Sequence, residues 1–349
     1  RRIWQVHHDT SITCGSRCNA RGPGVRDHSE AIGQAQRTPS MAHVLATRRR
    51  QTSSFSRRET RAGLLFILPW LISLLIFTAY PVFGTLGLSF TEYNIIKPPK
   101  FIGLDNFQQM FFEDPAYWVA VRNTLIYAGA AVVLRLIFSL ALALVLNMGV
   151  RGISIYRVIF YLPALVPPVV AAIIFLLMFN YANGPINAVI GAVGLQPPDW
   201  LRDPAWSKPA LIILGLWPLG IEVLVFLAGL KAIPQDLLDA ASVDGASPMR
   251  RLFSVTIPLL TPVILFNLVT GVIYSFQVFA QALVIGDTTG KPLESTLMYM
   301  VLVYRNAFRY FSMGYAAAQS LILFIVVALL TLLVFRTSRR WVYYEGSDR

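Results

Sequence analysis

Six continuous apolar runs punctuate the chain, at roughly 64–88, 119–146, 155–179, 209–230, 259–285 and 313–335. Each is near or above the ~20 residues that cross a bilayer core. In hydrocarbon every backbone amide must find a partner within its own segment, so these runs predict helices. Barrel strands would alternate in polarity and stop after about ten residues, which excludes a closed β-barrel. The expected fold is an all-α membrane protein, a six-helix transmembrane bundle over residues 63–336. A basic segment, 1–62, precedes it and a tail, 337–349, follows.

Composition agrees with the pattern. Hydrophobic residues make up 55% of the chain and charged residues 14%, whereas a soluble domain carries about a quarter charged residues. Lipid must therefore supply much of the burial. Arg48, Arg49, Arg50, Arg57, Arg58 and Arg61 precede the first run, Arg336, Arg339 and Arg340 follow the last, and Arg151 and Arg157 mark the ends of the short loop joining the second and third. The stretches 89–118 and 181–208 hold few cations and more acids. By the excess of Lys and Arg on cytoplasmic loops, those two stretches face outward and both termini face the cytoplasm. The net charge of +12 sits largely in the basic segment before the first run, without interleaved aromatics, so it does not indicate nucleic-acid binding.

Residues 1–40 contain no Met and have neither apolar periodicity nor the apolar core of a signal peptide. They are expected to be disordered, or an upstream extension foreign to the native protein, and dispensable for uptake. Both cysteines, Cys14 and Cys18, fall there beside His7 and His8, in a spacing that matches no common structural-zinc pattern. No metal site is expected. Gly286-Asp287-Thr288-Thr289-Gly290-Lys291-Pro292 has one residue too few between its glycines for a nucleotide loop, and Pro where a magnesium-binding Ser or Thr belongs. No catalytic spacing is present, so the chain is not expected to be an enzyme. If ATP drives it, another chain hydrolyses that ATP.

The polar insertion between the fourth and fifth runs, 231–258, carries the most information. It reads Asp239-Ala240-Ala241-Ser242-Val243-Asp244-Gly245-Ala246 and continues through Phe253 to Ile257-Pro258. Pro234 suits a first helical turn, where its missing N–H costs nothing, and that helix is expected to run to about Val243. Gly245 offers a left-handed stop, and Ser247 with Pro248 offers the cap and first residue of a second helix ending before Pro258. The chemistry alone fits either an element that lies in a partner's groove or an amphipathic loop at the interface.

This stretch resembles the EAA loop of ABC importer permeases, with Asp239 where Glu is usual. The resemblance extends over most of 64–340. It includes Tyr80-Pro81, Leu88-Ser89-Phe90-Thr91, the segment from Phe101 through Gly103, Asp105 and Asn106 to Phe107, the segment from Phe226 through Gly229 to Pro234, and Ser275-Phe276-Gln277-Val278-Phe279. Together these are similar to the sugar-permease subgroup of the maltose and glycerol-3-phosphate type. The resemblance implies that Asp239, Ala240, Ala241, Asp244, Gly245, Ala246 and Pro258 couple the chain to a nucleotide-binding ATPase subunit. It also implies a second homologous permease, an extracytoplasmic solute-binding protein, a sugar-like substrate, and no cofactor on this chain, with ATP and magnesium on the partner. Import would proceed by alternating access around a site near mid-membrane. Pro163, Pro167, Pro168 and Pro218 permit kinks in the third and fourth runs, whether for motion or for static packing.

By the same resemblance, the sugar site corresponds to Gly271, Tyr274 and Ser275 on the fifth run, near Gln277. Groups that bond hydroxyls and rings that stack on sugar faces suit that role, although for each residue alone helix packing is the more common use. Two ionisable residues lie deep in the bundle, Glu222 about nine residues from Lys231 and Arg135 about twelve from Asn147. At 1.5 Å per residue their depths differ by only ~5 Å. They can pair, or Glu222 can meet substrate. A stand-alone secondary transporter would show an internal repeat with broken helices, and no such repeat is visible. A membrane-embedded enzyme would need paired catalytic groups, which are missing.

Overall fold

The computed structural model describes residues 57–148 and 152–343. The expectations for residues 1–40, including the Cys–His quartet, lie outside the described residues.

Among the described residues, four helical stretches are long and apolar enough to cross a membrane: Ala62–Leu88, Pro115–Asn147, Pro248–Gly286 and Met313–Ser338. Two bent pairs complete the set. Ile153–Leu165 meets Pro168–Met178 at 101°, and Pro204–Leu216 meets Gly220–Ala232 at 49°. Counting each pair as one span gives six, as the apolar runs predict. The third run breaks sharply, at the prolines that the sequence reading marks as permitting a kink. Val166 and Pro167 each precede a proline, which crowds them out of the helical region, and their ψ angles are 126° and 139°. In the fourth, Pro218 lacks the N–H that would carry the helix across Trp217–Leu219.

In chain order the first span comprises α1 (Arg57–Leu74) and α2 (Tyr80–Leu88), joined by a π turn over Leu75–Ala79. A short hairpin follows, β1 (Thr91–Asn94) antiparallel to β2 (Lys97–Phe101), and then α3 (Asp105–Gln108). The long α4 (Pro115–Asn147) is the second span. The broken third consists of α5 (Ile153–Tyr161) and α6 (Pro168–Met178), and α7 (Pro185–Ala192) lies in the connection after it. The fourth consists of α8 (Pro204–Leu216) and α9 (Gly220–Ala232). The polar insertion forms α10 (Gln235–Val243) and α11 (Pro248–Arg251). The fifth span is α12 (Ile257–Phe276) with α13 (Ala280–Gly286); α14 (Tyr299–Tyr304) and α15 (Met313–Ser338) end the described chain.

Proline steps explain three of the π turns. Tyr80, Asp114 and Ile257 each donate their N–H to the carbonyl five residues back, on Leu75, Gln109 and Leu252. Each immediately precedes a proline. The wide turn widens the ladder just where the next donor is missing. At Pro258 the consequence corrects the sequence reading: the second helix of the insertion does not end there but continues through a π turn over Leu252–Thr256 into α12.

One short two-stranded hairpin interrupts the helices among the described residues. It closes the segments Leu88–Thr91 and Phe101–Phe107 onto each other. The Asn106 amide donates to the carbonyls of Ser89 (2.9 Å) and Thr91 (3.0 Å), Ile102 N–H donates to Phe90 O (3.0 Å), and the Phe90 and Phe107 rings lie 5.5 Å apart. The start of α15 packs beneath it. A Cβ on Gly314 would fall 1.9 Å from the Thr91 carbonyl oxygen. Gly314→Ala should therefore force the hairpin off α15 and cost about 1–3 kcal/mol, seen as a lower Tm of the purified chain. Gly129→Ala, where nothing lies within 4 Å, should leave Tm unchanged.

Burial concentrates where α4 meets the last spans. Tyr117, Ala120, Ala128, Val301, Leu302 and Ala318 belong to one buried cluster. A second joins α4, α9 and α12 through Ala143, Val223, Phe226 and Leu260.

Candidate functional site

The insertion folds into the elbow that its sequence predicts. Helix α10 starts at Gln235, one residue later than expected, because Pro234 keeps an extended backbone (ψ 129°) and serves as the cap position. At the other end Gly245 adopts φ +73°. Ala246 N–H donates to Ala241 O (3.0 Å) and Gly245 N–H to Ser242 O (3.1 Å), the paired bonds of a Schellman stop. The Ser247 hydroxyl then accepts from Arg250 N–H and caps α11. Arg251 reaches back to the Ser242 hydroxyl and ties the two helices together.

No residue of α10 is buried. Asp239, Ala240 and Asp244 are exposed, and Ala241 and Ala246 are half-buried. Apolar side chains stand out beside them: Val243 is 87% exposed, Met249 68% and Phe253 64%. An acidic helix flanked by exposed apolar groups, with its C-terminal end closed by paired hydrogen bonds, is a surface suited to a protein groove.

Deep in the bundle the structure brings Arg135 and Glu222 together. The Arg135 guanidinium bonds Glu222 Oε1 and, through its other terminal nitrogen, the carbonyl of Gly215. The pair links α4 to both halves of the broken fourth span, since Gly215 lies before the break and Glu222 after it. Gly215 itself lies under Tyr127, whose hydroxyl is 2.7 Å from where a Cβ would stand. The side chains are 20% and 16% exposed, and Glu222 Oε2 has no partner. Sequence reasoning found the pair by depth but missed Gly215, because a backbone acceptor leaves no signature.

The remaining residues proposed for substrate divide by exposure. Tyr274 (72% exposed) and Gln277 present open surface, Gly271 is half-buried, and Ser275 is buried at 5%. Gln277 does not continue the helix; it stands at the end of α12, before α13 restarts at Ala280. Asn267, one face inward, is buried and its amide nitrogen has no partner. A separate cleft of about 660 Å³ lies between α4, α5 and the break after α8, among Phe138, Leu142, Val145, Ile159 and Trp217. Its lining is apolar, so it offers sugar hydroxyls no partner.

The glycine-containing loop 286–292 uses its amides within itself. Lys291 N–H donates to Gly286 O (2.7 Å), Gly290 N–H to Asp287 O (3.3 Å), and Thr288 N–H to the Asp287 carboxylate. That last bond, with help from the Lys291 and Arg309 charges, holds the Asp287 carboxyl below its ordinary range. These three amides are thus taken, unlike those of a phosphate cradle. Among the described residues no group of three or more His, Cys, Asp or Glu could hold a metal ion.

Spans broken at prolines, a part-buried ion pair bracing one of the breaks and an exposed elbow leading into the fifth span define a membrane-spanning transport subunit. Residues 135–342 match the model of the binding-protein-dependent transport system inner membrane component. The chain belongs to that family. It is 43% identical over 293 residues to the probable ABC transporter permease protein YesP of Bacillus subtilis, covering 84% of this chain and 95% of that one. It is 33% identical to the trehalose/maltose transport system permease protein MalF of Thermococcus litoralis, covering 82% and 97%. Among solved structures, a bacterial alginate ABC transporter in complex with an alginate pentasaccharide-bound periplasmic protein contains a chain that is 25% identical, with TM-score 0.72, over 80% of this chain and 96% of that one. This chain is accordingly the permease subunit of such an importer and not an enzyme; ATP hydrolysis belongs to a separate subunit.

Proposed function

We propose that the chain imports a sugar or sugar-like solute across the inner membrane, with both termini in the cytoplasm, as one of two homologous permeases. An extracytoplasmic binding protein delivers the solute, and an ATPase subunit carrying ATP and magnesium docks on the elbow 235–251. The observation that carries this reading is the elbow itself: a helix with no buried residue, stopped and tied by its own hydrogen bonds and continuous with the fifth span. Asp239, Asp244, Gly245 and the alanines around them form its contact surface, and Pro258 sits where the elbow enters the span.

The sugar assignment rests on relatives named for trehalose or maltose, lactose and sn-glycerol-3-phosphate transport. Tyr274 and Gln277 are the exposed polar groups best suited to stacking and hydroxyl contact. Gly271 leaves space one turn earlier, and Ser275 supports the helix from its buried side. Glu222 acts first as the partner of Arg135; its Oε2 is buried without a partner and meets substrate only once the bundle opens around it. Motion between outward-open and inward-open forms is served by the broken third and fourth spans.

Co-expression with a second permease, an ATPase and a binding protein encoded nearby tests the assignment. The four should co-purify and import solute only with ATP. Uptake by this chain alone in liposomes would overturn it.

A further inference from the structure

The chain after the last span returns to the foot of the fifth. Ser338 is buried at the end of α15, Val342 is 5% exposed, and Tyr343 N–H donates to the Thr261 hydroxyl at 2.9 Å. The same hydroxyl donates to the carbonyl of Pro258 at 2.6 Å. That carbonyl needs it. In an α-helix it would accept from the residue four positions on, which here is Pro262 and has no N–H. The missing donor at Pro258 is met by the π turn before it, and the missing donor at Pro262 is met by Thr261. Thr261 thus stands where the elbow becomes a span, buried at 9%, with its hydroxyl both giving and receiving.

We infer that Thr261 is a positioning residue for energy coupling. Through Pro258 it holds the foot of α12 in register with the elbow. Through Tyr343 it fastens the strand leaving α15 to the same point, so that displacement of the elbow moves the fifth and last spans together. Without the clamp the elbow still binds its ATPase, but its movement is taken up by the π turn over Leu252–Thr256 instead of reaching the spans. This inference rests on the elbow being the ATPase dock.

The test uses the assembled transporter in liposomes and reads solute imported per ATP hydrolysed. Tyr343→Pro removes the donated N–H and also fixes φ there and restricts Val342 before it, on an exposed side chain, whereas Tyr343→Ala removes the side chain and keeps the N–H. Thr261→Val removes the hydroxyl at nearly constant volume, and Thr261→Ser restores it. Tyr343→Pro and Thr261→Val should each lower the transport-to-ATP ratio at least threefold while binding-protein-stimulated hydrolysis stays within twofold of normal. The double variant should be no worse than Thr261→Val alone. Tyr343→Ala and Thr261→Ser should match the unaltered chain. A normal ratio in Tyr343→Pro, or an equal loss in Tyr343→Ala, overturns the clamp. A failure of the unaltered complex to import at all, with a competent binding protein, instead overturns the underlying assignment.

Discussion

Gly245→Pro should leave the chain in the membrane and abolish the ATP hydrolysis that loaded binding protein stimulates. Gly245 holds φ +73°, which the pyrrolidine ring forbids, and its N–H closes one of the two bonds of the stop. Losing both should cost about 3 kcal/mol or more locally, enough to unwind the elbow. The effect stays local because nothing lies within 4 Å of a Cβ at that position, so the bundle is not disturbed. Asp239→Lys tests the surface without touching the backbone. Its carboxylate is exposed and accepts only from Gln235, at 3.2 Å, so charge reversal should spare the fold and weaken docking. Stimulated hydrolysis and uptake should both fall about tenfold, equivalent to ~1.4 kcal/mol. Normal uptake in Asp239→Lys at a normal protein level would remove the acidic face from the account.

The second large effect concerns the ion pair. Arg135→Gln leaves Glu222 buried with no partner on either oxygen, whereas Glu222→Gln leaves Arg135 still bonded to Gly215. Breaking a fully buried pair from one side costs about 3–5 kcal/mol; with side chains 20% and 16% exposed the cost here falls below that range, and removing both charges costs less. Arg135→Gln should therefore reduce the yield of assembled complex the most, Glu222→Gln less, and the double variant should recover part of the Arg135→Gln loss. Size-exclusion yield of detergent-purified complex measures all three. Should Glu222 serve substrate as well, Glu222→Gln will in addition raise the solute concentration giving half-maximal uptake. Normal assembly in Arg135→Gln would mean that water, not Arg135, compensates the carboxylate.

What the sequence made legible followed local rules. Long apolar runs must be helices in lipid, Gly245 after Val243-Asp244 is a left-handed stop, and counting 1.5 Å per residue brought Arg135 and Glu222 to one depth. Features set by partners far along the chain were not legible. The 101° break depends on where α6 packs, although its prolines mark the place. The hairpin forms across Lys97-Pro98-Pro99-Lys100, a poor strand by composition, because Asn106 and Gly314 hold its base. Pro258 looked like a helix end because a single missing N–H is a weak stop when a π turn can absorb it. For the substrate candidates, helical spacing could not separate exposed Tyr274 from buried Ser275, since that depends on which neighbours α12 meets.

Docking of an ATPase on the elbow can be read directly by cysteine crosslinking. Both native cysteines, Cys14 and Cys18, are replaced by Ser, and Cys is placed at Val243, 87% exposed on the elbow, or at Ile96, 89% exposed at the hairpin turn. In an assembled complex that imports solute, Val243→Cys should crosslink to the ATPase subunit and Ile96→Cys should not. A complex that hydrolyses ATP and imports solute while Val243→Cys remains unlinked, and Ile96→Cys links instead, would contradict both the orientation and the role given to the elbow.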